Sequence, residues 1–272
     1  LFDTLDTEFT NDEDFTPQGS YRWTPYRYWK KIKDIGKVLV STSSYSVPGV
    51  IALVEVENYE VLEDILTNSP LRKFQYAIVH EDSPDERGID VALLFDTDQF
   101  SYNSHEVIEV EFPFDKDDKT RDMLVVNGAI ADDCYTIVVC HWPSRRGGQA
   151  ISEGKRIHAA KELEQYLIRE YREECRLLVL GDFNDDNQSA SIQYLIQTEF
   201  DLRDAFLQIE MQGNGSYKYQ NQWNMLDHIF ISEEVNLLNA ELFSPDFLQT
   251  EDVNYPGWAL FTKEDIVTTI PY

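Results

Sequence analysis

A chain of 272 residues with 42% hydrophobic and 13% aromatic content can bury a sizeable core, which excludes a disordered polypeptide. Its 50 acids outweigh 23 bases, and the formal net charge of -27 excludes a broad basic track for wrapping a polyanion, although carboxylates that hold a cation can still act on nucleic acid. No apolar run approaches the roughly 18 residues of a membrane helix, and the acidic N-terminus lacks the regions of a signal peptide, so a soluble chain is expected, cytoplasmic or exported after loss of a leader.

The first 20 or so residues read as an irregular acidic loop ending in the turn-rich "TPQGSYRWTP". In "YRYWKKIKDIGKVLV", Trp29, Ile32, Ile35 and Leu39 recur at helical spacing, predicting a helix that lays this face on a sheet. The β-branched "VIALVEVEN" predicts a strand, with Glu55 and Glu57 on one side if the strand continues. "YEVLEDILTN" predicts a short helix. Strands over 89–95, 105–112, 122–129 and 134–140 follow with little helix between them, implying neighbouring, largely antiparallel pairs. Ile108, Val110 and Phe112 alternate with Glu109 and Glu111, as in a sheet with one face to water, whereas "YTIVVC" is apolar on both faces and predicted central. "EDSPDE" and "DKDD" read as solvated acidic loops, with Ca2+ as a structural ion the secondary reading. The clearest helix is "SEGKRIHAAKELEQYLIREYREEC", capped by Ser152, with Ile157, Ala160, Leu163, Leu167 and Tyr171 on one stripe. It leads into "RLLVLGDFNDDNQS", the helix "SASIQYLIQ" and the strand "MLDHIFIS" over 225–232. Nothing divides the chain, so a single α/β domain over 1–272 is expected, with two facing sheets and helices outside.

Three cysteines cannot all pair, and Cys134 and Cys140 fall on one predicted strand, about 20 Å apart at roughly 3.3 Å per residue. All three are therefore expected to be small buried residues without a disulfide framework.

Four predicted strands end in reactive groups. Glu55 interrupts an apolar run, where a carboxylate is costly unless paired with a cation or a metal. "VVCHWPSRRGG" supplies His141, Ser144 and Arg145, an imidazole to donate to a phosphoryl oxygen and two groups to hold phosphate. In "LVLGDFND", Gly181 releases the strand into Asp182 and Asn184, a carboxylate to orient or deprotonate water and an amide to steady it. "NMLDHIF" adds Asp227, suited to fixing the tautomer of a histidine, with a structural hydrogen bond as the alternative. Asp185, Asp186 and Asn187 read as turn and helix start. His158 reads as a helix-surface or core residue, and His80 and His105 have no adjacent metal-type partners. Tyr217, Tyr219 and Trp223 are read first as core aromatics and second as a substrate rim.

In their order and spacing, "VEVEN", "HWPSR", "GDFND" and "MLDHIF" resemble the endonuclease/exonuclease/phosphatase superfamily of metal-dependent phosphoesterases. The superfamily includes pancreatic-type deoxyribonucleases, abasic-site endonucleases, inositol polyphosphate phosphatases and neutral sphingomyelinases. "EFTNDEDFTPQGSYRWT" and "RGIDVALLF" resemble its bacterial branch. The resemblance implies a four-layer α/β sandwich and hydrolysis of a phosphoester dependent on Mg2+ or Mn2+, by in-line attack of water. It implies that Glu55 binds the metal, His141 contacts phosphate, Asp182 and Asn184 form the GDxN loop, and Asp227 orients a C-terminal histidine. An Asn on the first strand, just before a segment like "LFDT", and a terminal Ser-Asp-His are absent from this sequence, so a domain trimmed at both ends is expected.

The expected substrate is a nucleic acid, nucleotide, inositol phosphate or lipid head group, cut as a nuclease or a phosphatase. The alternative with the same fold is a catalytically impaired binding or scaffold domain. The sequence implies no protein partner and leaves the oligomeric state open.

Overall fold

The computed structural model describes residues 1–6, 10–42, 47–146, 148–219, 222–243 and 268–269. Helix α1 (Pro25–Ser41) starts where Thr24 accepts from the Arg27 N–H and a proline fills the first turn. It buries Tyr28, Ile32 and Leu39, while Trp29 is 38% exposed. Ile32, Ile35 and Leu39 thus face the core as predicted, with Ile35 partly buried, and Tyr28 takes the place predicted for Trp29, which lies about 100° round the helix from it. Strand β1 (Val50–Val56) leads to α2 (Tyr59–Asn68), capped by Asn58, whose side chain accepts from Val61 N at 2.9 Å.

Next come β2 (Tyr76–His80), β3 (Asp90–Asp96), β4 (Ser101–Ile108), β5 (Met123–Ile130) and β6 (Asp133–His141). The strand predicted over 105–112 therefore lies four residues earlier. Val110 and Phe112 are still buried, but the Val110 N–H donates to the Asp122 side chain at 3.1 Å in place of a ladder partner. Helix α3 (Gln149–Glu170) precedes β7 (Arg176–Asp182) and α4 (Ala190–Ile196). It begins three residues before its predicted cap. Gly148, at φ 109°, is the cap, while Ser152 donates to the Gly148 carbonyl and accepts from the buried Arg156 guanidinium. The remaining elements are β8 (Arg203–Asp204), α5 (Leu207–Met211), β9 (Tyr217–Tyr219), β10 (Gln222–Asn224), β11 (Asp227–Ile231), β12 (Glu241–Leu242) and β13 (Thr268–Thr269). No helix among the described residues is long and apolar enough to cross a membrane.

Two sheets face each other. The smaller runs β1-β3-β2, all antiparallel, and the larger runs β4-β5-β6-β7-β11-β8. In the larger sheet β6 and β7 are parallel, as a helical crossover through α3 requires. Strand alternation sorts the apolar side chains into three cores. Ile51, Ala92 and Leu94 meet Ile32, Leu39, Leu62 and Ile65 of α1 and α2. Val91, Leu93 and Phe95 meet Val126, Ile137, Val139 and Ile229 between the sheets. Val125, Val138, Val179 and Phe230 meet Leu163 and Leu167 of α3 and Ile192 and Leu195 of α4. The result is the expected four-layer α/β sandwich of helices, sheet, sheet and helices.

The cysteines depart from expectation. Cys134 and Cys175 form a disulfide, with Cα atoms 4.7 Å apart, and Cys140 alone is free and buried. The register pairs Tyr135 with Arg176, so the two cysteines flank neighbouring parallel strands one position further out. Spacing along a single strand does not reveal this cross-strand partner.

Candidate active site

Three of the expected residues lie in one row of the large sheet. The register pairs His141 of β6 with Asp182 of β7, and Asp182 with Asp227 of β11. Paired positions point to the same face. Two residues earlier, Val139 and Leu180 face the core between the sheets, as does Ile229 two residues after Asp227, so all three polar side chains emerge at the end of that interlayer.

Glu55 reaches the row from the opposite sheet through a backbone irregularity. Between Val54 and Val56 the β1–β3 register shifts, and Glu55 takes φ 57°, the left-handed conformation of a bulge. Val54 packs between the sheets and Val56 in the core under α1 and α2, so the bulge changes the face that each subsequent residue takes. Glu55 Oε1 lies 3.8 Å from His141 Nε2, which is itself 3.7 Å from Asp182 Oδ2. The expectation that Glu55 and Glu57 share a side is corrected for the same reason. Glu57 is buried elsewhere, accepting from Asp3 N, and burial pushes its carboxyl up to about 7.

The turn after β7 is built for close approach. Gly181 has φ 135°, and a Cβ there would lie 2.0 Å from the Cys140 carbonyl oxygen. Asn184, also left-handed at φ 54°, donates its main-chain N–H to Asp182 Oδ1 at 2.8 Å. Its amide Nδ2 donates to the Trp142 carbonyl at 2.9 Å, locking β6 to the turn.

The two proposed phosphate holders stand differently. Ser144 is exposed, with its Oγ 3.4 Å from Arg146 N. Arg145 turns to the 182–187 loop, donating to the Asn184 carbonyl at 2.7 Å and to Asp186 at 3.0 Å. Arg145 and Ser189 hold the Asp186 carboxyl below its usual range, against the opposing push of burial.

Several residues beside the site gave no local signal in the sequence. Arg121 is buried between strands, donating to Asp85 Oδ2 and to the Trp142 carbonyl, each at 2.9 Å. Asp85 is thereby buried, which corrects the reading of "EDSPDE" as wholly solvated. Asp185 is likewise no simple turn residue: it is fully buried, accepting from Arg156 and Ser191 at 2.6 Å. His228 faces away from the row, with Nδ1 2.8 Å from Asp204 Oδ2 and Nε2 2.9 Å from the Asp185 carbonyl. Burial alone would lower its pKa, but the Asp204 carboxylate and the Asp185 carbonyl outweigh burial and raise it. Both partners are acceptors, so each favours an N–H on the ring nitrogen it faces and together they favour the protonated ring.

Of the aromatic residues before β11, Tyr217 is half-buried, while Tyr219 and Trp223 are not core. Tyr219 and Trp223 are exposed on the β9–β10 hairpin, and the base of that hairpin is tied to Asp227, whose N–H donates to Ser216 Oγ at 3.1 Å.

A family model described as the endonuclease/exonuclease/phosphatase family matches residues 1–264. No curated protein is similar enough in sequence to match. Among solved structures, the human Nocturnin catalytic domain with bound sulfate anion is 19% identical, with a TM-score of 0.63 over 87% of this chain and 85% of that one. The endonuclease/exonuclease/phosphatase from Bacteroides vulgatus is 14% identical, with a TM-score of 0.63 over 96% and 93%. TDP2 from D. rerio complexed with single strand DNA product is 14% identical, with a TM-score of 0.57 over 88% and 92%. With its four layers, its register row of polar residues and a family match over nearly its whole length, the chain belongs to the endonuclease/exonuclease/phosphatase family of hydrolytic phosphoesterases.

Proposed function

We propose that the chain hydrolyses a phosphoester with the help of a divalent cation, Mg2+ or Mn2+, held by Glu55. The observation that carries this reading is the row of His141, Asp182 and Asp227, with Glu55 turned toward it from the other sheet. The donor set fits such an ion: Glu55 and Asp182 both bring a carboxylate oxygen within 4.0 Å of the same imidazole nitrogen, and hard oxygen donors suit Mg2+ and Mn2+. When bound, the ion supplies charge stabilisation to the phosphoryl and leaving oxygens.

The side chains divide the remaining work. Asp182 orients the attacking water and takes its proton through Oδ2, the oxygen on the His141 side. Asn184 holds the carboxylate in that pose through its main-chain N–H. His141 donates to a nonbridging phosphoryl oxygen as negative charge grows there. Ser144 stands at the phosphate rim, with Arg145 beside it turning to phosphate from its pairs with Asp185 and Asp186. Asp227 is suited to orient a C-terminal histidine of the kind the family resemblance implies. His228 does not take that part, since its ring is committed to Asp204 and Asp185 on the other face.

The favoured substrate class is a nucleotide or the end of a single-stranded nucleic acid. Tyr219 and Trp223 offer flat faces for base stacking on the hairpin leading to Asp227, whereas a net charge of -27 disfavours a long duplex track. The similar fold of TDP2 from D. rerio, complexed with single strand DNA product, supports the same class.

Turnover should be measured with Mg2+ or Mn2+ on nucleotides, single-stranded DNA, RNA, inositol phosphates and a lipid phosphodiester side by side. Asp182→Asn is expected to lower kcat by about 10²–10⁴ with an unchanged circular dichroism spectrum. Full turnover by the variant would sink the assignment, and no turnover by the parent on any substrate would return the chain to the binding-domain reading.

A further inference from the structure

The β2–β3 connection gathers a second set of metal-type ligands around His80, for which the sequence showed no adjacent partners. His80 ends β2, Asp90 begins β3, and Asp82 stands on the loop between them. One imidazole nitrogen and two carboxylate oxygens from these residues lie within 4.8 Å of one another. His80 Nε2 is 3.1 Å from Asp90 Oδ2, and both side chains are almost wholly buried. An ion with bonds of about 2.0–2.2 Å holds adjacent ligand atoms about 3 Å apart, so this pair already stands at a chelating separation. Asp82 is exposed, and its carboxylate completes the set within that span.

Two further observations favour a cation over a simple ion pair. Asp90 Oδ1 accepts from Ser83 N at 2.8 Å and Ser83 Oγ at 2.6 Å, the outer-shell bracing that fixes a ligating carboxylate and leaves its other oxygen toward His80. In the same loop Asp85 takes Arg121 and Arg87, whereas among the described residues neither Asp82 nor Asp90 pairs with a lysine or arginine. Asp122 adds to this uncompensated charge. Its carboxyl is raised chiefly by burial and then by repulsion from Glu109, Asp90 and Glu111.

We propose that His80, Asp82 and Asp90 bind a divalent transition-metal ion of the Zn2+ type, at a site separate from the one assigned to Glu55. A mixed nitrogen and carboxylate set favours Zn2+ over Mg2+ and Ca2+, which prefer oxygen alone. The ion would bridge the loop to both strands. Because that loop carries Asp85, which holds Arg121 and through it the Trp142 carbonyl, bound metal stiffens one wall of the row containing His141.

The test is calorimetric titration of the metal-stripped chain with Zn2+ in the Glu55→Gln background, so that binding at the first site is disabled. One Zn2+ site per chain is expected to persist, with weaker binding of Mg2+ and Ca2+ and a rise in thermal midpoint on loading. Adding Asp82→Asn, an exposed change that spares the fold, should weaken Zn2+ at least about tenfold and remove the thermal shift. Asp117→Asn, a change at another exposed acid, should do neither. Equal binding by the Asp82 and Asp117 variants, loss of the site with Glu55→Gln alone, or equal affinity for Ca2+ would each overturn the proposal.

Discussion

Arg121 shows how one side chain can hold the candidate site together without belonging to it. Its guanidinium joins Asp85 on the β2–β3 loop to the Trp142 carbonyl, and that carbonyl also receives the Asn184 amide. Arg121→Met therefore leaves the buried Asp85 carboxylate with only the partly exposed Arg87 as its cation, a change expected to cost about 3 kcal/mol. Urea unfolding should show that loss, and the double change Arg121→Met with Asp85→Leu should recover part of it, because no charge is then stranded. Full recovery of stability with persistently low turnover would separate the positioning of Asn184 from folding. The sequence revealed Asp182 and Asn184 because glycine, aspartate and asparagine at a strand end are a local pattern. Arg121 and Arg156 had no such pattern, since their carboxylate partners stand 36 and 29 residues away.

At the scale of elements, periodicity was a good guide wherever the backbone stayed regular. The strands from 122 to 141, α2 and the strand into "GDFND" lie within a residue or two of expectation, because each carries its own apolar pattern. The failures come from features that depend on a neighbour. Glu55 reaches His141 only because of a bulge at the end of β1, and strand alternation by itself assigns it to the other face. The disulfide is the same kind of case: Cys134 and Cys175 are brought together by the parallel register of β6 and β7, which the α3 crossover connects. With 41 residues of separation, the crosslink removes loop entropy worth about 4 kcal/mol from the unfolded chain. Reduction, or Cys134→Ser, is expected to lower the free energy of urea unfolding by roughly 2–4 kcal/mol. An unchanged midpoint after mass spectrometry has verified reduction would show that the bridge adds nothing.

For the molecule as a whole, the four layers were legible from the alternation of strands and helices, while its electrostatic balance was not. Fifty acids against 23 bases suggest a chain that repels itself more strongly as pH rises, and composition gives no hint of where the few buried cations sit. His228 is a buried group whose protonated form its neighbours favour, placed where β11, the Asp204 strand and the turn after β7 meet. Its native pKa is raised above the ordinary imidazole value despite burial, because both ring nitrogens face acceptors. For a raised histidine the sign follows from linkage: the native state binds the proton more tightly than the unfolded chain. The stabilisation is complete below the unfolded pKa of about 6.5 and is lost as pH climbs through the higher native value. Self-repulsion among the carboxylates also grows with pH, but it is common to the parent and to His228→Gln. The difference between their unfolding free energies, measured in urea from pH 5.5 to 9, therefore isolates this ring. It should be largest at the acidic end and shrink as pH rises past about 6.5 and on through the native value, whereas a gap that widens with pH would mean that the buried ring is neutral in the folded protein.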